Sequence, residues 1–240
     1  MLLRSWLFAA RGRRNVQRAL RPLGPVDATL RPYVPGHSFV DVGAMWTVHG
    51  ETAFAAEELG ATAVTAADVM APSEQYEAEH KRRNSKVRFV QGDIHDPATL
   101  EAIGPHDVVW CSGVLYHCPN PIHTIECLKQ ITRSVLILIT AGLPEIPGVR
   151  NGCVYFPFLS EGERTAYDAA YNAVVKTTKY PDPVRLGLTT PFDAREGYGN
   201  WWWGLSPSAV ESMLRSVGFT IEENKTNGFH TRVVARLAGP

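Results

Sequence analysis

The chain has 240 residues, 45% hydrophobic and 20% charged, which suits a globular protein large enough to bury a core. Lysine plus arginine and aspartate plus glutamate both number 24, so the net charge is zero, and the basic excess expected of a phosphate-gripping nucleic-acid protein is absent. The four cysteines fit neither a disulfide framework nor a CxxC pair, and no apolar run approaches the roughly 18 residues of a membrane span. These features lead to an expectation of reduced thiols, a cytoplasmic location and no membrane span.

Residues 1–36 read as a basic helical lead. Leu2 to Leu20 carries Arg4, Arg11, Arg13, Arg14 and Arg18 and has the pattern of an amphipathic helix. Arginines following the apolar stretch are in the wrong order for a signal peptide. Arg21-Pro-Leu-Gly-Pro and Arg31-Pro-Tyr-Val-Pro-Gly read as turns. Residues 37–240 then form one domain. Strands are expected at Ser38–Val42, Ala63–Asp68, Val87–Val90, Asp107–Cys111 and Ser134–Thr140. Helices are expected at Glu51–Leu59, Ser73–Asn84, Pro97–Ile103 and Pro121–Thr132. Strands alternating with helices imply right-handed crossovers and a parallel sheet. The stretch of about 141–200 is rich in proline, glycine and aromatic residues and reads as an insertion, with a helix near Glu161–Val175. A helix at Pro207–Val217, N-capped by Ser206, precedes a closing pair of strands, Phe219–Glu222 and His230–Leu237. The expected fold is α/β and Rossmann-like: seven strands, mostly parallel, an antiparallel last strand, helices on both faces and an insertion after strand five.

In an open α/β sheet, ligands bind beyond the carboxyl ends of the strands. The first strand ends in Asp41-Val-Gly43-Ala44, where glycine lets the backbone approach a ligand. The second ends in Asp68, 25 residues after Gly43 and suited to accept both hydroxyls of a ribose. The third ends in Gly92-Asp93-Ile94, with Asp93 to accept from an adenine amino group and Ile94 to pack on its ring. The fourth ends in Cys111-Ser112-Gly-Val-Leu-Tyr116-His117, which leads the chain over a cofactor.

With these motifs in order, the sequence from about Ser38 to the C-terminus resembles a class I S-adenosylmethionine (SAM)-dependent methyltransferase. Asp41-Val-Gly is similar to the first motif of that class, Asp68 to its ribose-binding acid, Gly92-Asp-Ile to its adenine contact and Gly113-Val-Leu-Tyr-His to its fourth-strand motif. Trp202-Trp-Gly-Leu-Ser-Pro-Ser-Ala-Val and Leu214-Arg-Ser-Val-Gly-Phe resemble its late helix and sixth strand. The Gly-Val-Leu-Tyr-His version occurs in a branch with wobble-uridine tRNA modifiers and actinobacterial sugar and natural-product O-methyltransferases. The first loop departs from the class: of its Gly-x-Gly-x-Gly only Gly43 is in place, followed by Ala44, Met45 and Trp46, with Gly50 further on. The resemblance implies SAM as cofactor, bound by Asp41, Gly43, Ala44, Asp68, Asp93, Ile94, Cys111 and Ser112.

A hydroxyl acceptor needs a base near the transferred methyl, and His117 leaves the fourth strand at that place. It reads either as that base or as a histidine that hydrogen-bonds a loop. His49, in the first loop, is the second candidate and more readily structural; His230 is a third. His117, Cys118, His123 and Cys127 match no common zinc spacing, so packing is favoured over a metal, and a divalent ion is not indicated. Tyr116, Tyr198, Trp201 and Trp202 are candidate acceptor-binding residues, because aromatic walls suit sugar faces. The expected activity is O-methylation of a small hydroxylated acceptor, such as a saccharide or glycan precursor. The alternatives are a tRNA-modifying methyltransferase, which the neutral charge disfavours, and a non-catalytic SAM-binding or membrane-associated module. A homodimer is compatible with the sequence and not indicated by it.

Overall fold

Ser38–Val42 forms the first strand, β1, at the centre of a seven-stranded sheet in this computed structural model, which describes residues 23, 25–46, 48–174 and 191–237. The amphipathic stretch Leu2–Leu20 lies outside the described residues. The further strands are β2 (Ala63–Asp68), β3 (Arg88–Gln91), β4 (His106–Ser112), β5 (Thr132–Ala141), β6 (Cys153–Tyr155), β7 (Trp203–Leu205), β8 (Phe219–Thr226) and β9 (His230–Leu237). The helices are α1 (Val26–Leu30), α2 (Glu51–Glu58), α3 (Glu74–Arg83), α4 (Pro97–Ile103), α5 (Pro121–Gln130), α6 (Glu161–Val174) and α7 (Pro207–Ser216).

The large sheet has the order β3-β2-β1-β4-β5-β9-β8. The pairings from β3 through β5 are parallel, and β9 runs antiparallel to both β5 and β8. The expected architecture is therefore the one observed. Chain order reverses direction across the sheet between β1 and β4, which places a switch point at the end of β1.

Side-chain alternation along each strand divides the core into two layers. On one face Val40, Val42, Val109, Cys111, Leu136, Leu138 and Val233 pack with residues of α4, α5 and α7. On the other Phe39, Val108, Trp110, Val135, Ile137 and Val234 pack with residues of α1, α2 and α3. Central strands buried on both faces explain why their sequences are continuous apolar runs.

The helix caps follow their residues. Ser73 accepts from the Tyr76 amide at the start of α3, Asn120 from the His123 amide at α5, and Ser206 from the Ala209 amide at α7. Two elements depart from the sequence reading. Val26–Leu30, between the two expected turns and not assigned from the sequence, is a short helix with Thr29 and Leu30 buried. From the 141–200 stretch, β6 pairs with β7, which lies just beyond it, to make a separate two-stranded ribbon. Among the described residues, no helix is long and apolar enough to cross a membrane.

Candidate functional site

The carboxyl ends of β1 to β4 meet at one edge of the sheet, and backbone bonds tie them together. Gly43 and Ala44 donate to the Ala67 carbonyl (2.9 and 3.2 Å), and Gly92 donates to the Asp68 carbonyl (2.9 Å). Gly43 has φ +86°, and a Cβ there would lie 2.5 Å from Val114 Cγ2, so a side chain is excluded on two counts.

The carboxylates at this edge differ in their surroundings. Asp68 accepts from the Met45 amide through Oδ2 (2.7 Å) and from the Met70 amide through Oδ1 (2.8 Å), clamping the loop after β1 to the loop after β2. Burial raises its pKa, against the pull of these amides. Asp41 is only 2% exposed, and its Oδ2 is buried without a partner. Burial first, and the Asp68 charge second, push Asp41 up to about 7. Asp93 follows β3: Oδ1 accepts from the His95 amide (2.9 Å) and faces the His95 ring Nδ1 (2.8 Å), while Oδ2 accepts from the Tyr198 hydroxyl (2.5 Å). Burial raises the Asp93 carboxyl, but the bonds from Tyr198 and His95 outweigh it and the net shift is downward.

Ile94 is 7% exposed and belongs to the core cluster that contains Val90 and Leu100. The exposed apolar residues at this edge are Trp46, Val69 and Met70, each close to half exposed. Ala44 is fully buried and Ser112 partly so. Cys111 is buried, and burial drives its thiol pKa far upward, which keeps it an inert neutral group.

Beyond β4, Leu115–His117 is a 3₁₀ turn. The segment before β7 runs alongside it: Trp202 donates its amide to the Tyr116 carbonyl (2.9 Å), and His117 Nδ1 donates to the Asn200 carbonyl (2.8 Å). A carbonyl only accepts, so Nδ1 carries the ring hydrogen and Nε2 keeps its lone pair in the neutral imidazole. Burial holds His117 down at about 4, although the Asn200 carbonyl pulls the other way. Its ring lies 4.1 Å from that of Tyr116, 6.3 Å from Trp201 and 6.4 Å from Trp46, measured between centroids.

Trp201 is 3% exposed within a cluster of Tyr116, Phe156, Tyr167, Tyr171 and Phe229. Its indole nitrogen and that of Trp202 are buried without partners. Tyr198 lies in a 3₁₀ turn, Ala194–Gly199, apart from this cluster and beside Asp93. His49 faces Ser73 Oγ through Nδ1 (2.8 Å) and has φ +46°, so it fastens the first loop to the cap of α3. His230 faces the Tyr171 hydroxyl (3.0 Å), and burial lowers it to about 4. His123 Nε2 lies 3.8 Å from Cys127 Sγ; among the described residues no three potential ligands gather to hold a metal.

His95 carries contacts that sequence reasoning missed. Its ring touches Asp93, the Tyr198 hydroxyl (2.9 Å) and Thr124 Oγ1 on α5 (2.8 Å), and it stacks on His123 at 5.4 Å. Its place directly after Gly92-Asp-Ile was the one available signal.

Three features suit an adenosyl group at this edge: carboxylates ending successive strands, a loop where Gly43 leaves no room for a Cβ, and half-exposed apolar side chains next to Asp68. Comparison with known proteins agrees. Residues 40–138 match the model of a methyltransferase domain family. A probable biofilm formation methyltransferase, WspC of Pseudomonas aeruginosa, is 32% identical over 117 residues, covering 45% of this chain and 26% of that protein. The match thus spans about a quarter of the relative's length. Among solved structures, the Burkholderia thailandensis 1,6-didemethyltoxoflavin-N1-methyltransferase, with S-adenosylhomocysteine bound, aligns with TM-score 0.57 at 15% identity over 99% of this chain and 86% of that one. The N-terminal domain of EvdMO1, also with S-adenosylhomocysteine, aligns with TM-score 0.56 at 13% identity over 95% and 82%. Residues 40–138 are therefore similar to a methyltransferase domain, and the fold is the one seen in solved methyltransferases that bind S-adenosylhomocysteine.

Proposed function

We propose that the protein transfers the methyl group of SAM to a hydroxyl of a small neutral acceptor, a saccharide or glycan precursor being the favoured class. The observation that carries this reading is the state of His117: Nδ1 is committed to the Asn200 carbonyl, and burial keeps the ring neutral, so Nε2 is available as a proton acceptor.

On this reading the cofactor supplies an activated sulfonium methyl. Asp68 retains lone pairs for the ribose hydroxyls, Asp93 for the adenine amine, and Gly43, Ala44, Cys111 and Ser112 shape the backbone walls. Val69 and Met70 offer the apolar surface for the base that Ile94, turned into the core, does not. Asp41 sits behind the loop and acts through the shape of the pocket floor. The acceptor rests against the half-exposed ring of Trp46, whose face suits the C–H face of a sugar, with Tyr116 and Trp201 buried behind His117. An acceptor hydroxyl lined up with that methyl would give its proton to His117 Nε2. Alignment in a dry site supplies the larger share, up to about 7–11 kcal/mol, and the base about 10²–10⁴-fold. We assign His49 to holding the first loop and not to proton transfer.

The uncharged aromatic surroundings disfavour phosphorylated acceptors and RNA. Incubation with methyl-labelled SAM and panels of sugars, phenols, amines and tRNA tests the assignment. Label is expected on sugar or other neutral hydroxyls; transfer confined to nitrogen acceptors or to RNA would sink it.

A further inference from the structure

The turn Ala194–Gly199 and the residue after it touch both halves of the site. Tyr198 donates its hydroxyl to Asp93 Oδ2 at 2.5 Å, and two residues later the Asn200 carbonyl accepts from His117 Nδ1 at 2.8 Å. The span between them is internally braced. The Asn200 side-chain amide donates to the carbonyls of Asp193 (2.7 Å) and Gly197 (3.2 Å), and Asp193 caps the turn at the Arg195 amide. Asn200 is buried, whereas Arg195 stands out in solvent.

We propose that residues 198–200 form a strap through which cofactor binding sets the catalytic base, with Tyr198 as a positioning residue; this rests on the cofactor reading above. The chemistry lies in the Asp93 carboxylate. It offers about four lone-pair positions. His95 engages two on Oδ1, through its amide and Nδ1, and Tyr198 takes one on Oδ2. One position on Oδ2 remains for the exocyclic amine of an adenine. The amine and the tyrosine hydroxyl therefore share one oxygen and do not displace each other. His95 holds the carboxylate in place by reaching Thr124 on α5 with its far nitrogen. A braced strap seated at Tyr198 carries the Asn200 carbonyl to His117, so occupation of the adenine edge and orientation of the imidazole rise and fall together.

Shared use of one carboxylate predicts non-additivity that packing alone does not. Calorimetry would compare the wild type and Tyr198→Phe with two ligands: S-adenosylhomocysteine, and S-inosylhomocysteine, which lacks the amine. The substitution is expected to weaken S-adenosylhomocysteine about 3–10-fold, the net scale of one ordinary hydrogen bond, and the inosyl analogue less than about twofold. Trypsin cleavage after Arg195 provides a second reading. S-adenosylhomocysteine should slow it several-fold in the wild type and leave it nearly unchanged in Tyr198→Phe. Equal losses for both ligands, or equal protection of both proteins, would overturn the strap while leaving the cofactor reading intact. Absence of heat with S-adenosylhomocysteine in the wild type would overturn the cofactor reading and the strap with it.

Discussion

His117 sits where one backbone carbonyl fixes the tautomer and a burial penalty keeps the ring neutral. The sign of its pH dependence follows from burial. An exposed histidine charges near 6.5, whereas this one stays neutral until about 4. The competent neutral form is thus complete from about pH 5 upward and is lost only as pH falls through 4. His117 is expected to add no acid limb to kcat/KM above pH 5, a limb near 7 belonging to Asp41; an imidazole of His117 seen to titrate near 6.5 would remove it from the role. His117→Asn, whose side-chain amide can stand in for Nδ1 as donor to the Asn200 carbonyl, should lower kcat by about 10²–10⁴-fold. Affinity of that variant for S-adenosylhomocysteine should stay close to that of the wild type. At this scale the sequence was partly legible. Asp68, Asp93 and His117 could be picked out because strand ends announce themselves. His95 could not, since its partners Thr124 and Tyr198 lie 29 and 103 residues away and no periodicity links them. Ile94 was placed on the ligand side because it follows an acid; its side chain packs in the layer shared with Val90 and Leu100.

Among the elements, the five parallel strands and the four helices between them were legible nearly to the residue. Each strand is an apolar run bounded by polar or turn residues, and each of three helices opens with a side-chain cap at Ser73, Asp96 or Asn120. The β6–β7 ribbon was not legible. Three-residue strands fall below the length at which alternation can be recognised, and Cys153 finds Leu205 only through the closed tertiary structure. That ribbon also explains Gly142, whose φ is unexceptional. A Cβ there would come within 2.1 Å of the Leu205 carbonyl oxygen, the same oxygen that accepts from the Leu143 amide. Gly142→Ala forces β5 and β7 apart at the root of the ribbon. Urea unfolding should show a loss of about 1–3 kcal/mol. An unchanged midpoint would mean that this contact yields without cost.

For the whole molecule, the cofactor edge is built from four separate strand ends, so a ligand bound there stabilises the native state and not the unfolded chain. S-adenosylhomocysteine at a hundred times its Kd should add about 2.7 kcal/mol. In a chain of this size that amounts to a Tm rise of roughly 5–11 °C. A thermal scan with no shift at millimolar ligand would contradict the site as drawn. The order of motifs along the chain made the global architecture readable, because parallel topology brings successive strand ends to one edge. How the 141–200 stretch returns to that edge was not readable, since it is decided by single contacts such as Tyr198 to Asp93.

The bond that aims His117 ends on the main chain of Asn200, not on its side chain. The aim of the imidazole is accordingly indifferent to which amino acids line the acceptor's side, provided the path of the chain is kept. An exposed aromatic residue such as Trp46 can be exchanged to suit a new guest without rebuilding the proton acceptor. A lineage can thus inherit its chemistry while its choice of molecule drifts.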